Sequence, residues 1–426
     1  MSRLQPSTLN PQPPKGYKQT EVGVIPQDWE VSPVGRMGEV VTGKALAVDG
    51  PGKQRPYLRT KNVFDGRIDI ADVLTMPMTD DQFGQFGLRS GDVLLNEGQS
   101  LELVGRCAMY QGEYPEPCAI QNQLIRFRAK AGVSGLFASH VFRFCQQSGV
   151  FARVALQTTS IAHLGGSRFQ RLRLAWPKSE PEQRAIAAAL SDADGLLGGL
   201  DRLVAKKRDL KQATMQQILT GQTRLPGFRG EWEVKRLNEL ADIRSGGTPS
   251  TSVPHFWDGD IPWCTPTDIT ALEGHKYLDE TARRITAQGL KSSSAEMIPP
   301  HSVVMTSRAT IGECAINSVP VSTNQGFKNF VPFASTDAEF LLYLLQTQKQ
   351  GFIRLCGGST FLEIGKTQLA DYQVRLPATK AEQTAIAEVL TDMDAELAAL
   401  EQRQEKTRAL KQAMIQQLLT GRIRLV

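Results

Sequence analysis

The stretch PKSEPEQRAIAAALSDADGLLGGLDRLVAKKRDLKQATMQQILTGQTRL, Pro177 to Leu225, occurs twice in this chain. Shifted by 200 positions it aligns without gaps on PATKAEQTAIAEVLTDMDAELAALEQRQEKTRALKQAMIQQLLTGRIRL, Pro377 to Leu425, with about half of the positions identical. A repeat of this kind fixes architecture before local propensity is weighed. Ile186, Leu190, Ala193, Leu197 and Leu200 recur at alternating spacings of four and three, as do Ile386, Leu390, Met393, Leu397 and Leu400. Each set is the stripe of a long helix. In the second copy a polar stretch, Glu401 to Arg408, is followed by Leu410, Met414 and Leu418. No proline interrupts Glu182 to Leu219, and Thr220-Gly221 and Thr420-Gly421 close the two helices with a glycine suited to a left-handed cap. About 38 residues at 1.5 Å each make a rod of about 57 Å, and a narrow apolar stripe on so long a rod calls for a partner rod. The other copy supplies it. A module between them that returns the chain to its starting point makes the pair antiparallel; the alternative is that each helix packs only on its own module.

The repetition continues faintly outside these blocks. Trp29-Glu30-Val31 matches Trp232-Glu233-Val234, Gly105-Arg106-Cys107-Ala108 matches Gly312-Glu313-Cys314-Ala315, and Asn122-Gln123 matches Asn324-Gln325. The junction TGQTRLPGFRGEWEV (220–234) reads like the C-terminal TGRIRLV followed by the N-terminal VIPQDWEV, which suggests a pseudo-twofold, circular organisation. Short runs such as DVLLN (92–96), QLIRFRA (123–129), SVVMTS (302–307) and NFVPF (329–333), punctuated by Gly, Pro and Asn, read as strands. SGLFASHVFRFCQQ (134–147) and AEFLLYLLQTQ (338–348) read as helices. The expected fold is α+β: two mixed α/β modules separated by two long helices that form an antiparallel coiled coil.

A length of 426 residues, at about 150 per domain, holds two or three domains, each able to bury a core. With 41% hydrophobic and 22% charged residues, disorder is excluded. No apolar run approaches the roughly 18 to 20 residues of a membrane span. The leader Met1 to Gly23 has an early positive charge but no apolar stretch behind it, so it lacks the middle of a signal peptide, and a cytoplasmic chain with no membrane partner is expected. Cys107, Cys118, Cys145, Cys264, Cys314 and Cys356 form no CxxC pair and are expected as buried free thiols. The net charge of +5 permits nucleic-acid binding without requiring it.

The loops of both modules carry side chains able to read base edges: Asn96, Gln99, Thr158, Thr159 and Ser160 in the first, Thr265, Thr267, Ser307, Arg308 and Thr310 in the second. Taken singly, each is equally an exposed loop residue. Arg153, Arg168, Arg171 and Arg173 stand in a stretch, Phe151 to Ala175, free of Asp and Glu, and form a candidate phosphate patch. Arg283, Arg284 and Lys291 are its counterpart. The runs KKRDLKQ (206–212) and KTRALKQ (406–412) read as a solvated or protein-docking face of the helices, or as phosphate contacts.

Motifs for catalysis do not assemble. The segment 359–367 ends like a phosphate-binding loop but has Thr360 where the opening glycine belongs. There is no GxGxxG, GxSxG or HExxH, and no Asn-Pro-Pro or Asp-Pro-Pro followed by an aromatic, which argues against an amino-methyltransferase loop. Glu233-Val234-Lys235 has a nuclease-like Glu-x-Lys without an upstream acidic partner. A non-catalytic chain with no metal site and no cofactor of its own is expected.

Two variable modules, each followed by a nearly identical long helix, resemble the specificity subunit of type I restriction-modification enzymes. The resemblance covers nearly the whole chain. It is carried by GVIPQDWEV (23–31), GEWEVKRLNELADIRSGGTPS (230–250), HFWDGDIPWCTPTDI (255–269), TSRATIGECAI (306–316), STNQGF (322–327) and the EQ…IA…L openings of both helices. The first module departs from the pattern, with NEGQSLELVGRCAM for the TSRATIG-like loop and CAIQNQ for STNQGF. The resemblance implies a polar leader (1–25), target recognition domain 1 (26–178), a central spacer helix (179–222), target recognition domain 2 (223–378) and a C-terminal spacer helix (379–426). It further implies that each domain reads one half of a bipartite, asymmetric site in double-stranded DNA with a fixed gap. Two modification subunits would carry S-adenosylmethionine and methylate adenine, and motor and nuclease subunits would use ATP and Mg. A different class of function, a scaffold whose two modules on a helical hairpin bind proteins or glycans, explains the repeat but not the basic loops.

Overall fold

The computed structural model describes residues 12–45, 49–157, 160–356 and 362–425. Two helices dominate it, Glu180–Ile218 and Lys380–Leu419, of 39 and 40 residues. Their starts are matched: the hydroxyls of Ser179 and Thr379 accept from the backbone N–H of Glu182 and Glu382, each at 3.4 Å. Pro181 lies in the first turn, where no intrahelical donor is lost. Both helices end at a left-handed glycine, Gly221 at φ +72° and Gly421 at φ +71°.

The chain divides into two compact units, one formed by Met1–Leu200 with Arg403–Val426, the other by Asp201–Gln402. The division falls inside both long helices, so each unit holds the start of one and the end of the other, side by side and antiparallel.

In the first unit a four-stranded sheet runs in the order Cys107–Met109, Val93–Asn96, Leu124–Ala129, Gly38–Thr42. Because side chains alternate along a strand, the sheet feeds two cores. Val93, Leu95, Ile125 and Phe127 face the helix Gly135–Gln147, where Phe127 and Phe142 meet edge to face at 5.1 Å. Leu94 and Leu124 face a second core built with the smaller sheet of Ala119–Ile120, Lys53–Leu58 and Leu74–Met78. Trp29–Pro33 pairs with Arg173–Pro177, the strand that leads into the first long helix.

The second unit repeats this plan with a five-stranded sheet, in the order Ala241–Ser245, Phe327–Pro332, Val303–Thr306, Cys314–Asn317, Tyr277–Leu278. Helix Ala338–Thr347 covers one face, and Glu233–Arg236 pairs with Gln373–Leu376 before the second long helix. Register is preserved between the units. Phe127 lies opposite Val93 and Val40, and Phe330 opposite Val303 and Ile243.

Of the stripe residues, Ile186, Leu190, Leu200, Ile386, Leu390 and Leu397 are buried, while Leu197, Met393 and Leu400 are half-buried. Helix–helix and helix–module packing, set out above as alternatives, coexist. Ile186 and Leu190 share one core with Ile415 and Leu418 of the other helix and with Trp29, Phe137 and Trp176 of the module. Ile386 and Leu390 do the same with Ile218, Leu219, Trp232 and Phe340. All six cysteines are free thiols, five buried and Cys356 half-buried.

Candidate nucleic-acid interface

Each module is held on the helices by one set of polar contacts that the repeat supplies twice. The indole N–H of Trp29 donates to Glu182 (3.3 Å) and that of Trp232 to Glu382 (3.2 Å). Those buried carboxylates are paired by Arg424 and Arg224 respectively. One residue on, Gln183 accepts from the backbone N–H of Ser134 (2.9 Å) and Gln383 from that of Asp337 (3.0 Å), the two N-caps of the module helices. Further along, Lys411 pairs with Asp194 and Lys211 with Asp394. Here the modules differ. Arg143 reaches Asp194 at 3.0 Å and His140 meets the Ser191 hydroxyl at 3.1 Å, whereas in the second module Tyr343 donates to Asp394 (2.6 Å) and meets Thr391 (3.4 Å). Burial, then the Arg143 charge, pushes His140 down to about 4. Burial works to raise Asp194, but Lys411 and Arg143 outweigh it and hold the carboxyl below its ordinary range.

In the first module Arg171 and Ser160 are exposed, and Gln99 is half-buried in a short pairing with Ala162. Arg168 donates to the carbonyls of His163 (2.7 Å) and Leu164 (3.0 Å), beside the His163–Glu97 contact at 3.0 Å. Arg153 and Arg173 do not join them. Both line a cavity of about 930 Å³ with an apolar wall that includes Val24, Phe144 and Leu174, and Arg173 is paired with Glu21 at 2.6 Å. Thr158 and Thr159 lie outside the described residues.

In the second module Arg283 is exposed with its guanidinium 3.9 Å over the Trp257 ring and 5.3 Å from Trp263, two indoles that meet edge to face at 4.9 Å. Arg284 donates to the Asp260 carbonyl at 3.1 Å, and Lys291 and Thr267 are exposed. Thr265 is occupied in bonding Asp268 (2.7 Å) at the start of the short helix Pro266–Thr270. Arg308 pairs with Glu363 at 2.9 Å, and Thr310 is half-buried against Thr306.

Two of the sequence candidates are buried. Asn96 and Ser307 are both 0% exposed, because each lies at or just past the end of a central strand whose two faces are covered. Asn96 donates inward to the Val63 carbonyl. Residues that single-position reasoning missed are the aromatic partners. Trp257 and Trp263 hold Arg283, and in the first module Phe64 lies under Arg67 (4.8 Å) and Arg106 (5.0 Å). The signal available was the pair of tryptophans in HFWDGDIPWC, but the arginine reaches them only through pairing of Arg283–Ile285 with Trp257–Cys264. Among the described residues no group of three or more His, Cys, Asp or Glu is placed to hold a metal, and no helix is long and apolar enough to cross a membrane.

Residues 229–409 match the family model of the type I restriction modification DNA specificity domain. The putative type I restriction enzyme MjaX specificity subunit of Methanocaldococcus jannaschii is 24% identical over 424 residues, 96% of this chain and 97% of that one. Over nearly its whole length this chain is similar to the specificity subunits of type I restriction enzymes. Another specificity subunit of the family, MjaIX of the same organism, is 37% identical over 166 residues, a match that spans only 38% of either chain. The EcoR124I/EcoR124II specificity subunit of Escherichia coli is 28% identical over 39% of this chain and 41% of its own. Among solved structures, a chain from a study of assembly and conformational transition in a type I system superposes with a TM-score of 0.60 at 19% identity, over 94% of this chain and 99% of that one. The specificity subunit of Thermoanaerobacter tengcongensis does so with a TM-score of 0.53 at 20% identity, over 94% and 98%. These likenesses establish the specificity-subunit fold: two mixed recognition domains with a pair of long helices. A specificity subunit is the non-catalytic recognition component of its system.

Proposed function

We propose that this chain is the cytoplasmic DNA-reading subunit of a type I restriction-modification complex, in which each module reads one half of a bipartite, asymmetric site separated by a fixed gap. One observation carries this reading. Two modules with different loops are fastened to two copies of the same helix by the same residues, Glu182, Gln183 and Asp194 against Glu382, Gln383 and Asp394. Repeated fastenings of this kind support a device whose readers are interchangeable. Two modification subunits carrying S-adenosylmethionine would methylate adenine, a reaction that needs the base out of the stack. Motor and nuclease subunits would supply ATP- and Mg-dependent cleavage. Arg283 with Arg284 and Lys291 in the second module, and Arg171 with Gln99 and Ser160 in the first, are the side chains proposed to meet DNA, joined by the exposed Thr267.

The test is the salt dependence of binding to duplex DNA. A phosphate-contacting reader loses affinity linearly in a log–log plot as salt rises. A protein- or glycan-binding scaffold would leave random duplex unbound at any salt, and that result would overturn the proposal.

A further inference from the structure

Lys328 sits in the middle of a five-stranded sheet, between Met305 on one neighbouring strand and Ser245 on the other, and is only 5% exposed. The equivalent position of the first unit, between Leu95 and Thr42, is occupied by Ile125 at 0% exposure. The fold therefore accepts an aliphatic side chain there, and packing does not ask for an ammonium. Burying one is costly unless it is paired. Among the described residues its hydrogen bonding amounts to one long contact, 3.4 Å, to the carbonyl of Phe327. Burial accordingly holds Lys328 below the ordinary lysine range, and the neighbouring charges are one carboxylate, Glu363, and two further cations, Arg308 and Lys366. Glu363 is already engaged by Arg308. On the same face of the sheet as Lys328, two residues beyond Met305, the buried Ser307 hydroxyl has no hydrogen-bond partner among the described residues. Backbone bonds from Ser307 to Gly326 (2.7 Å) and from Ile364 to Ser307 (3.1 Å) gather the three segments together.

Three cations, a spare hydroxyl and a single carboxylate make a set short of negative charge. We propose that Ser307, Arg308, Lys328 and Lys366 form a seat for one phosphodiester of the DNA backbone, with Glu363 standing in for it in the free protein. Arg308 and Glu363 are 45% and 40% exposed in their side chains, so the outer pair can part while the ammonium waits behind it. This inference rests on the DNA-reading function proposed above and adds one contact that fixes the second module on its half-site without reading sequence.

The experiment uses the full-length chain and a random-sequence duplex, titrated over a range of salt, with melting temperature followed in parallel. Lys328→Met and Lys328→Ile are expected to weaken binding roughly tenfold, as for loss of a charge-assisted bond, and to flatten the log–log salt slope by about 0.9. Neither should lower the melting temperature, because Ile125 shows that the position tolerates an aliphatic residue. Glu363→Gln should tighten binding, since it removes the carboxylate that a phosphate must displace. Unchanged affinity and slope in both lysine variants, with a lower melting temperature, would show the ammonium to be structural and overturn the proposal, as would weaker binding by Glu363→Gln. Inorganic phosphate at matched ionic strength separates the two sources of the same chemistry. If it raises the melting temperature of the natural chain but not of Lys328→Met, while the duplex slope is the same for both, the seat belongs to free phosphate and the DNA assignment falls. Absence of any salt-dependent duplex binding by the natural chain would remove the underlying function, and this inference with it.

Discussion

Arg283 is exposed, yet its guanidinium is held in place by stacking on Trp257 and standing near Trp263. A fork presented in a fixed plane loses little freedom on binding and suits the bidentate edge of guanine. Arg283→Ala is therefore expected to relax one base position of the second half-site, with about 1–3 kcal/mol of discrimination lost there. Methylation-site mapping reads this directly, and a loss spread evenly over all positions would show a phosphate contact instead. His140 makes a different demand. Folded, it titrates near 4, while an unperturbed imidazole titrates near 6.5, so the unfolded chain takes up the proton first as pH falls. Stability present above about pH 6.5 is then lost progressively toward pH 4, by on the order of 3 kcal/mol if the whole shift is expressed. His140→Gln, which keeps a polar partner for Ser191, is expected to flatten the stability profile between about pH 6.5 and 5, above the carboxylate range. Chemical denaturation at several pH values measures it.

Among the elements, the long helices were legible because a proline-free stripe repeated at 200-residue spacing has few other readings, and because Gly221 and Gly421 mark both ends. The strands were legible as strands, but their two faces were not. A strand covered on both sides shows no alternation of apolar and polar residues, so nothing in DVLLN announced that Asn96 points inward. The second core of the first module, where Leu94 meets Tyr57 and Met76, also depends on strands that pair across distant sequence. The polar fastenings lay in plain view as conserved letters between the two copies, but their partners, such as Trp29 for Glu182, are 153 residues away. The Lys411–Asp194 pair, 14% and 33% exposed, with Arg143 on the same carboxylate, offers a measurement at this scale. Lys411→Met and Asp194→Asn should each destabilise the first unit by about 2 kcal/mol, and the double variant by less than the sum. Additive losses in a double-mutant cycle would show that the two side chains do not communicate.

At the scale of the molecule, the proposed reading and the common fastenings together predict modules that are separable in function. Replacing residues 26–176 with another module that keeps the partners of Glu182, Gln183 and Asp194 should change one half-site and leave the other intact. A helical turn added within 190–205 and matched within 390–405, lengthening each rod by about 5.4 Å, should alter the gap and neither half-site. Methylome sequencing of such hybrids decides both, and alteration of both half-sites by a single exchange would contradict modular reading.

The first unit also contains both ends of the described chain. Tyr17 donates to the Gly421 carbonyl at 3.1 Å, and Arg424 grips Asp28 at 2.6 Å, much as Arg224 serves the uninterrupted passage at Trp232. The seam between these two described segments is thus matched in bonding by the continuous stretch around Trp232. A permuted gene that welds Leu425 to the leader and opens at Gly227–Gly230 should yield a polypeptide of the same melting behaviour and the same methylation pattern, its first and second readers exchanged only in order of birth.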